Sequence, residues 1–374
     1  MKTIKDIELL EGVKVIVRVD FNVPIKNGVV VEDFRIKSAF PTIEYLQSKG
    51  AKVILIGHLE ANEASDNTFK VVADHINNKL GKKVGFVANL RNANDYIEHQ
   101  LQNGQCVLLE NLRYDEGEKK NDPKFAQAIA SLGDIYVNDA FSVSHRKHAS
   151  VVGVPALMPS YAGFQLEKEV SNLSKAFDPS HPFIFVLGGA KFETKLPLLD
   201  KFLNIADQVF VGGALATDLF KQKGFEVGKS LVSEGGFGLD KYVSNPKLIL
   251  PLDLINQKNE IVKPENFNKD DSSMDSGPET VDMLKTKISE AKMVLWNGPL
   301  GVYEKGFKSG TLGLAKAIAN NHERGILSLV GGGDTVAAIA ENNDDDKFTF
   351  VSTAGGAMLD FLANGTLPGI EALG

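Results

Sequence analysis

The stretch LSLVGGGDTVAA, residues 327–338, decides how the chain is read. Its first four residues form a short apolar run, as expected of a strand buried on both faces. Gly331, Gly332 and Gly333 follow, permitting a tight turn and close approach of a ligand to the backbone. Asp334 and Thr335 then open an apolar-periodic stretch that reads as a helix. Strand, glycine turn and helix start in this order present unpaired backbone N–H groups and the positive end of the helix dipole to one point, which suits an anion. Such turns also serve packing alone, so this segment by itself leaves both readings open.

The same alternation extends outward in both directions. In the second half, apolar runs at 183–187, 209–211, 248–250, 293–296 and 348–351 read as strands; in the first half, those at 13–19, 53–56, 84–86, 107–109 and 135–137 do. Amphipathic segments such as 35–49 and 69–80 separate them. Strands alternating with helices imply parallel pairing through helical crossovers. The expected fold class is therefore α/β, with two doubly wound parallel-sheet (Rossmann-like) domains separated by a cleft and joined by a helix. The boundaries read as 1–160, a connecting helix over 161–178, 179–360, and a tail over 361–374. Residues 261–276, polar and charge-rich, read as a surface hairpin or loop, and 365–374 as irregular.

A chain of 374 residues is consistent with this, at about 150 residues per domain. With 41 Lys and Arg against 48 Asp and Glu, the net charge of −7 argues against nucleic acid or an anionic membrane as partner. An anion site must therefore be built locally. The single cysteine, Cys106, cannot form an internal disulfide and reads as a buried core thiol in a reducing compartment. The N-terminal segment has charges scattered through it and no continuous apolar core, so the expectation is a cytoplasmic protein.

In open α/β sheets ligands gather at the carboxyl ends of strands. In the second half these ends carry Gly188-Gly189 with Lys191 and Lys195, then Gly212-Gly213, Asn297-Gly298-Pro299, and the opening glycines. Two lysines four apart at a helix start repel each other and oppose the dipole, unless an anion lies between them. In the first half they carry Asp20-Phe21-Asn22 followed by Arg35, then His58, Arg113, and His145-Arg146-Lys147-His148. Arginines suit bidentate recognition of phosphate or carboxylate, so this half should bind a small acid. Singly, Asp20 and Asn22 also read as a turn before Pro24, and the 145–148 run as a solvated basic loop. No P-loop, no protein-kinase signature and no zinc spacing is present. Asp334 is the best candidate to meet Mg2+, which takes few carboxylates alongside phosphate oxygens.

The segments RVDFNVP (18–24), ENLRY (110–114), YVNDAF with SHRKHAS (136–141, 144–150), LGGAKFETK (187–195), WNGPLGVYE (296–304), GGGDT (331–335) and STAGGA with LPGI (352–357, 367–370) together resemble the phosphoglycerate kinase family. The likeness runs from about residue 15 to the C-terminus. It implies an acid-substrate-binding N-terminal domain, a Mg-nucleotide-binding C-terminal domain, and last residues that return to the N-terminal domain. It also implies reversible phosphoryl transfer between 1,3-bisphosphoglycerate and ADP, giving 3-phosphoglycerate and ATP, by a monomer whose hinge motion closes a cleft.

By the same resemblance, Asp20, Phe21, Asn22, Arg35, His58, Arg113 and Arg146 would hold the acid. Lys191, Lys195, Gly332, Gly333 and Thr335 would meet nucleotide phosphates, Gly212, Gly213 and Pro299 would line the adenine side, Glu304 would meet the ribose, and Asn297, Gly298 and Gly331 would also be nucleotide-binding. Asp334 would meet the magnesium, and Arg35, Lys195, Gly355 and Gly356 would serve the phosphoryl group in transfer. That transfer needs positioning and charge neutralisation rather than a general base, because the accepting carboxylate is already ionised at neutral pH.

The chain departs from the family in three places. Where the family has Leu-Gly-Arg-Pro after the substrate-site histidine, this chain has Leu59-Glu60-Ala61-Asn62, and Glu63 and Asp66 add further acid. Losing one charge-assisted contact costs about 1.5–3 kcal/mol, so the acid site is expected to be weakened, and Ala61→Arg to lower the KM for 3-phosphoglycerate. Ser142 stands where the family usually has glycine, and Ala354 where it has STGGG; a positive φ at 354 would strain alanine by about 1–2 kcal/mol. The competing reading is a nucleotide-binding relic with a regulatory or interaction role.

Overall fold

The computed structural model describes residues 1–60, 67–190, 192–234, 238–342 and 344–374, with the backbone alone at Asp345. The chain forms two compact units: Met1–Ser171 together with Thr366–Gly374, and Asn172–Gly365.

The first unit is built on β1 (Lys14–Arg18), β4 (Lys52–Ile56), β5 (Gly85–Val87), β6 (Cys106–Leu109), β7 (Ile135–Asn138) and β8 (Ser160–Ala162), with a small hairpin of β2 (Ile25–Lys26) and β3 (Val29–Val30) after β1. The six strands lie in the order β5-β6-β4-β1-β7-β8, all parallel. Because β1 and β4 are buried on both faces, they read as near-continuous Val/Ile/Leu runs rather than alternating ones. Helices Phe34–Ser48 and Phe69–Asn78 cover the sheet through Ile36, Ile43, Leu46, Val72 and Ile76.

The second unit holds β9 (Phe183–Leu187), β10 (Gln208–Val211), β11 (Leu248–Ile249), β12 (Leu254–Asn256), β13 (Ile261–Val262), β14 (Ser273–Ser276), β15 (Met293–Asn297), β16 (Leu327–Gly331) and β17 (Phe350–Ser352). Its main sheet runs β11-β10-β9-β15-β16-β17, all parallel. From β9 the chain winds outward to β11, then returns to β15 and winds the other way. The direction of winding reverses between β9 and β15, which is where such a sheet leaves a crevice at its carboxyl ends. In the first unit the corresponding reversal lies between β1 and β7.

Three expectations need correction. Residues 261–276 begin as the hairpin strand β13 beside β12 but are not all surface: β14 pairs with β12 in the same antiparallel sheet, and Phe267, Asp271, Asp275 and Ser276 are buried. The polar composition misleads because these side chains satisfy backbone groups; Asp275, for example, accepts from the Gly310 N–H at 2.9 Å. The C-terminal segment is not irregular: Pro368–Glu371 is helical, and Leu367 and Leu373 are buried. It joins the first unit from Thr366 rather than from 361, anchored by Gly369 N–H donating to Ser144 O at 2.8 Å and Asn138 Nδ2 donating to Gly369 O at 3.2 Å. The segment expected to be one connecting helix begins with strand β8 and continues as the helix Phe164–Leu173 and a short turn, Ser174–Ala176.

Candidate functional site

The chain has only six arginines, and in the first unit Arg18, Arg113 and Arg146 share one electrostatic neighbourhood. Burial and the charges of Arg146 and Arg18 lower the Arg113 guanidinium to about 10. Such a cluster is costly by itself and is relieved by an anion. Arg18 is the unexpected member. It sits in the middle of apolar strand β1, is buried, and donates Nε to Ser150 Oγ at 2.8 Å and Nη2 to His58 Nδ1 at 2.9 Å. Ser150 in turn donates to Glu118 Oε1 at 2.6 Å, and the buried Glu118 is the countercharge beneath the cluster. A charge inside a buried strand run was the available signal for Arg18; nothing local marks Ser150 or Glu118.

Because Arg18 can only donate, His58 Nδ1 must accept, which puts the imidazole proton on Nε2. His58 is 2% exposed, and Nε2 has no partner among the described residues. Burial first, and then the arginines, hold this histidine far below the ordinary imidazole range, so it is a neutral N–H donor. Arg113 Nε and Nη1 likewise make no hydrogen bond among the described residues, Nη1 having only an ion-pair contact with the Glu60 carboxylate.

Beside this lies a second group, at the reversal between β1 and β7. Arg35 Nη1 pairs with Asp20 Oδ2 at 3.2 Å and donates to Asn22 O at 3.0 Å. Ser142 donates its hydroxyl to the same Asp20 carboxylate. Ser142 thus fixes Asp20 across the reversal. The Phe21 ring is fully buried and meets Phe69 edge-on at 6.4 Å, so its side chain anchors the Asp20 and Asn22 turn from below.

In the second unit the carboxyl ends of β9, β10, β15 and β16 converge. Lys195, 8% exposed, donates Nζ to Gly188 O at 2.8 Å and to Asn297 Oδ1 at 2.9 Å, bridging β9 and β15 at the reversal. Burial pushes its ammonium down to about 8. Asn297 Nδ2 donates to Gly331 O at 3.1 Å, and Gly298 N–H to Thr335 Oγ1 at 3.1 Å. Asn297 and Thr335 are both buried, and their side chains hold the turns in place.

The three glycines of the opening motif lie in three different environments. A Cβ on Gly331, which ends β16, would meet Met358 Sδ at 2.1 Å. Gly332 has φ +109°, which an L side chain rarely adopts. Gly333, first residue of the helix Gly333–Glu341, has ordinary φ and no described atom within 4 Å of a Cβ position. Among the described residues no neighbour demands glycine there, and the position is open. The helices Gly213–Gln222, Gly333–Glu341 and Gly356–Asn364 all lack a side-chain cap, having Gly212, Gly332 and Gly355 in the cap position. Gly355 has φ +47°, whereas Ala354 is not among the positive-φ residues, so the strain considered for it is not present.

A pocket of about 220 Å³ opens beside these turns, lined by Gly189, Gly213, Pro299, Glu304 and Asp334. Leu231, Met274, Leu300 and Val302 supply its apolar wall. Leu231 and Met274 were not legible as site residues because they lie in polar stretches away from the glycine turns, Leu231 after the helix Gly213–Gln222 and Met274 in β14. Asp334 is exposed in the first turn of its helix, and no cluster of three or more metal-ligating side chains occurs among the described residues. One carboxylate fits Mg2+ whose remaining ligands are phosphate oxygens and water. Lys191, Ala61, Glu63 and Asp66 lie outside the described residues.

Comparison with known proteins agrees with this geometry. The family model described as phosphoglycerate kinase matches residues 4–365. A phosphoglycerate kinase of Dictyoglomus turgidum is 42% identical over 100% of this chain and 98% of its own length, and one of Fervidobacterium nodosum is 41% identical over 99% and 98%. The solved phosphoglycerate kinase structure from Coxiella burnetii has a TM-score of 0.88 at 35% identity, covering 99% of this chain and 98% of that one. The structure from Pyrococcus horikoshii OT3 has a TM-score of 0.85 at 32% identity, covering 100% and 98%. In sequence, in the topology of both sheets and in the glycine turns at their carboxyl ends, the chain belongs to the phosphoglycerate kinase family.

Proposed function

We propose that His58, Arg113 and Arg146, with Asp20, Asn22 and Arg35 beside them, hold 3-phosphoglycerate or 1,3-bisphosphoglycerate, and that the pocket at the glycine turns holds ATP or ADP. The enzyme is a kinase whose acceptor is a carboxyl group. A carboxylate oxygen of 3-phosphoglycerate attacks the γ-phosphorus of ATP, a P–O bond forms, and the bond to the β–γ bridging oxygen breaks as ADP leaves. No proton has to be removed, because the acceptor is an anion at neutral pH.

The observation that carries this reading is the pair of donors, His58 Nε2 and Arg113 Nε, that have no hydrogen-bond partner among the described residues, in a buried arginine cluster. They are desolvated hydrogen-bond donors that an acid ligand would satisfy. Lys195 and the uncapped helix starts at Gly213, Gly333 and Gly356 supply positive potential for phosphate charge. Leu231, Met274, Leu300 and Val302 suit the faces of a purine, and Glu304 suits a ribose hydroxyl. Asp334 would hold Mg2+, whose chemistry there is neutralisation of phosphate oxygens. Among the described residues no helix is long and apolar enough to cross a membrane.

A coupled assay with ATP and 3-phosphoglycerate, joined to calorimetric titration of each ligand, tests the reading. Turnover with both ligands bound is expected. Nucleotide binding without acid binding would overturn it in favour of the relic, which nothing in the comparisons supports.

A further inference from the structure

Glu60 stands where the family pattern has glycine, and its position is constrained rather than free. Asn111 clamps the preceding residue from both sides: its Oδ1 accepts from Leu59 N–H at 3.2 Å and its Nδ2 donates to Leu59 O at 2.9 Å. The same Asn111 Oδ1 accepts from Arg113 N–H at 3.1 Å, which ties residue 59 to the arginine's own turn. On the other side, Glu60 N–H donates to Asn22 Oδ1 at 2.8 Å. Held this way, the Glu60 carboxylate pairs with Arg113 Nη1. The two partners differ in environment: the arginine side chain is 6% exposed and the glutamate 56%.

We infer that Glu60 is a tethered anion competing with the acid substrate for Arg113, so that it sets the charge a ligand must carry to enter the site. This rests on the reading of the arginine cluster as the acid site.

One carboxylate leaves much of that cluster unmet. Arg113 Nε and His58 Nε2 remain without partners among the described residues, and Arg18 and Arg146 keep the local potential positive. A dianionic phosphate or sulfate brings more oxygens and twice the charge of Glu60, and replaces it. A simple monocarboxylate offers only what Glu60 already supplies, without the advantage of being tethered, and is kept out. The cost falls on ground-state binding of every ligand, because Glu60 must be displaced before chemistry begins.

The test uses the full chain and its Glu60→Gln variant, titrated with sodium sulfate, with acetate and with 3-phosphoglycerate, and assayed for KM and kcat. Glu60→Gln is expected to tighten sulfate and 3-phosphoglycerate by about fivefold, with the kinetic change falling on KM rather than kcat, and to make acetate a measurable competitor. In an Arg113→Lys background, the gain from Glu60→Gln is expected to shrink below about twofold. Unchanged sulfate affinity in Glu60→Gln, or an undiminished gain beside Arg113→Lys, would overturn the inference. Absence of turnover in the parent enzyme would count against the proposed function instead, and the sulfate titrations would still decide the role of Glu60.

Discussion

Lys195 Nζ donates to Asn297 Oδ1 at 2.9 Å, and the other end of that amide donates to Gly331 O at 3.1 Å, so one buried side chain ties the lysine to the glycine turn. Lys195→Ala should lower kcat by about 10²–10³-fold, as loss of a preorganised charge does. Asn297→Ala should cost less, about tenfold, because it leaves the charge but not its aim. Steady-state kinetics on both variants distinguish the two roles.

Burial lowers Lys195 from its ordinary 10.5 to about 8 in the free protein. It is therefore charged below that pH and progressively neutral above it. kcat/KM for the nucleotide should fall about tenfold per pH unit above 8, and Lys195→Arg should remove this limb, since a guanidinium stays protonated. A pH–rate profile from 6 to 10 is the measurement.

Gly331 and Gly333 make a matched pair. An alanine at 331 meets Met358 Sδ at 2.1 Å and should lower the unfolding temperature by several degrees. An alanine at 333 meets no described atom within 4 Å and should leave stability within about 0.5 kcal/mol while raising the nucleotide KM at least about tenfold. Thermal melts and kinetics on the two variants separate fold from ligand.

Ser142→Gly removes the hydroxyl that Asp20 accepts and restores the residue usual in the family. Its expected cost is about 1 kcal/mol of stability, together with a rise in the acid KM as Arg35 and Asp20 lose their fixed geometry. Chemical denaturation and the KM for 3-phosphoglycerate test both.

Asp139, buried at the start of the helix Phe164–Leu173, accepts from Gln165 N–H at 2.8 Å, and burial raises its carboxyl to about 7. A folded pKa above the unfolded 3.8 means the folded state binds the proton more tightly, so this group's stabilisation is full below pH 4 and is lost as pH rises to 7. Asp139→Asn should flatten that part of the stability profile, read from thermal unfolding at pH 5, 6, 7 and 8.

The sequence by itself determined the parallel architecture and most strand ends. Residues 183–187 and 293–296 are apolar on both faces, and only strands covered on both sides need that. It also placed Arg113, Lys195 and the glycines of 331–333 at or just beyond the carboxyl ends of strands, as the structure has them. Polar stretches were harder to read. Residues 261–276 look like surface, yet their buried carboxylates serve as backbone acceptors, and composition does not say whether a polar side chain faces water or a neighbouring N–H. Nor does the sequence say that the Phe21 ring turns to the core between Asp20 and Asn22. Arg18 and Ser150 meet although 132 residues apart, with Glu118 beside them, Leu231 and Met274 reach one pocket from separate segments, and Glu60, held by Asn22 and next to the Leu59 that Asn111 clamps, meets Arg113. Local pattern fixes which residues share a strand or a turn; which charges end up buried against one another is decided only when distant segments pack, since desolvation and pairing are properties of that packing.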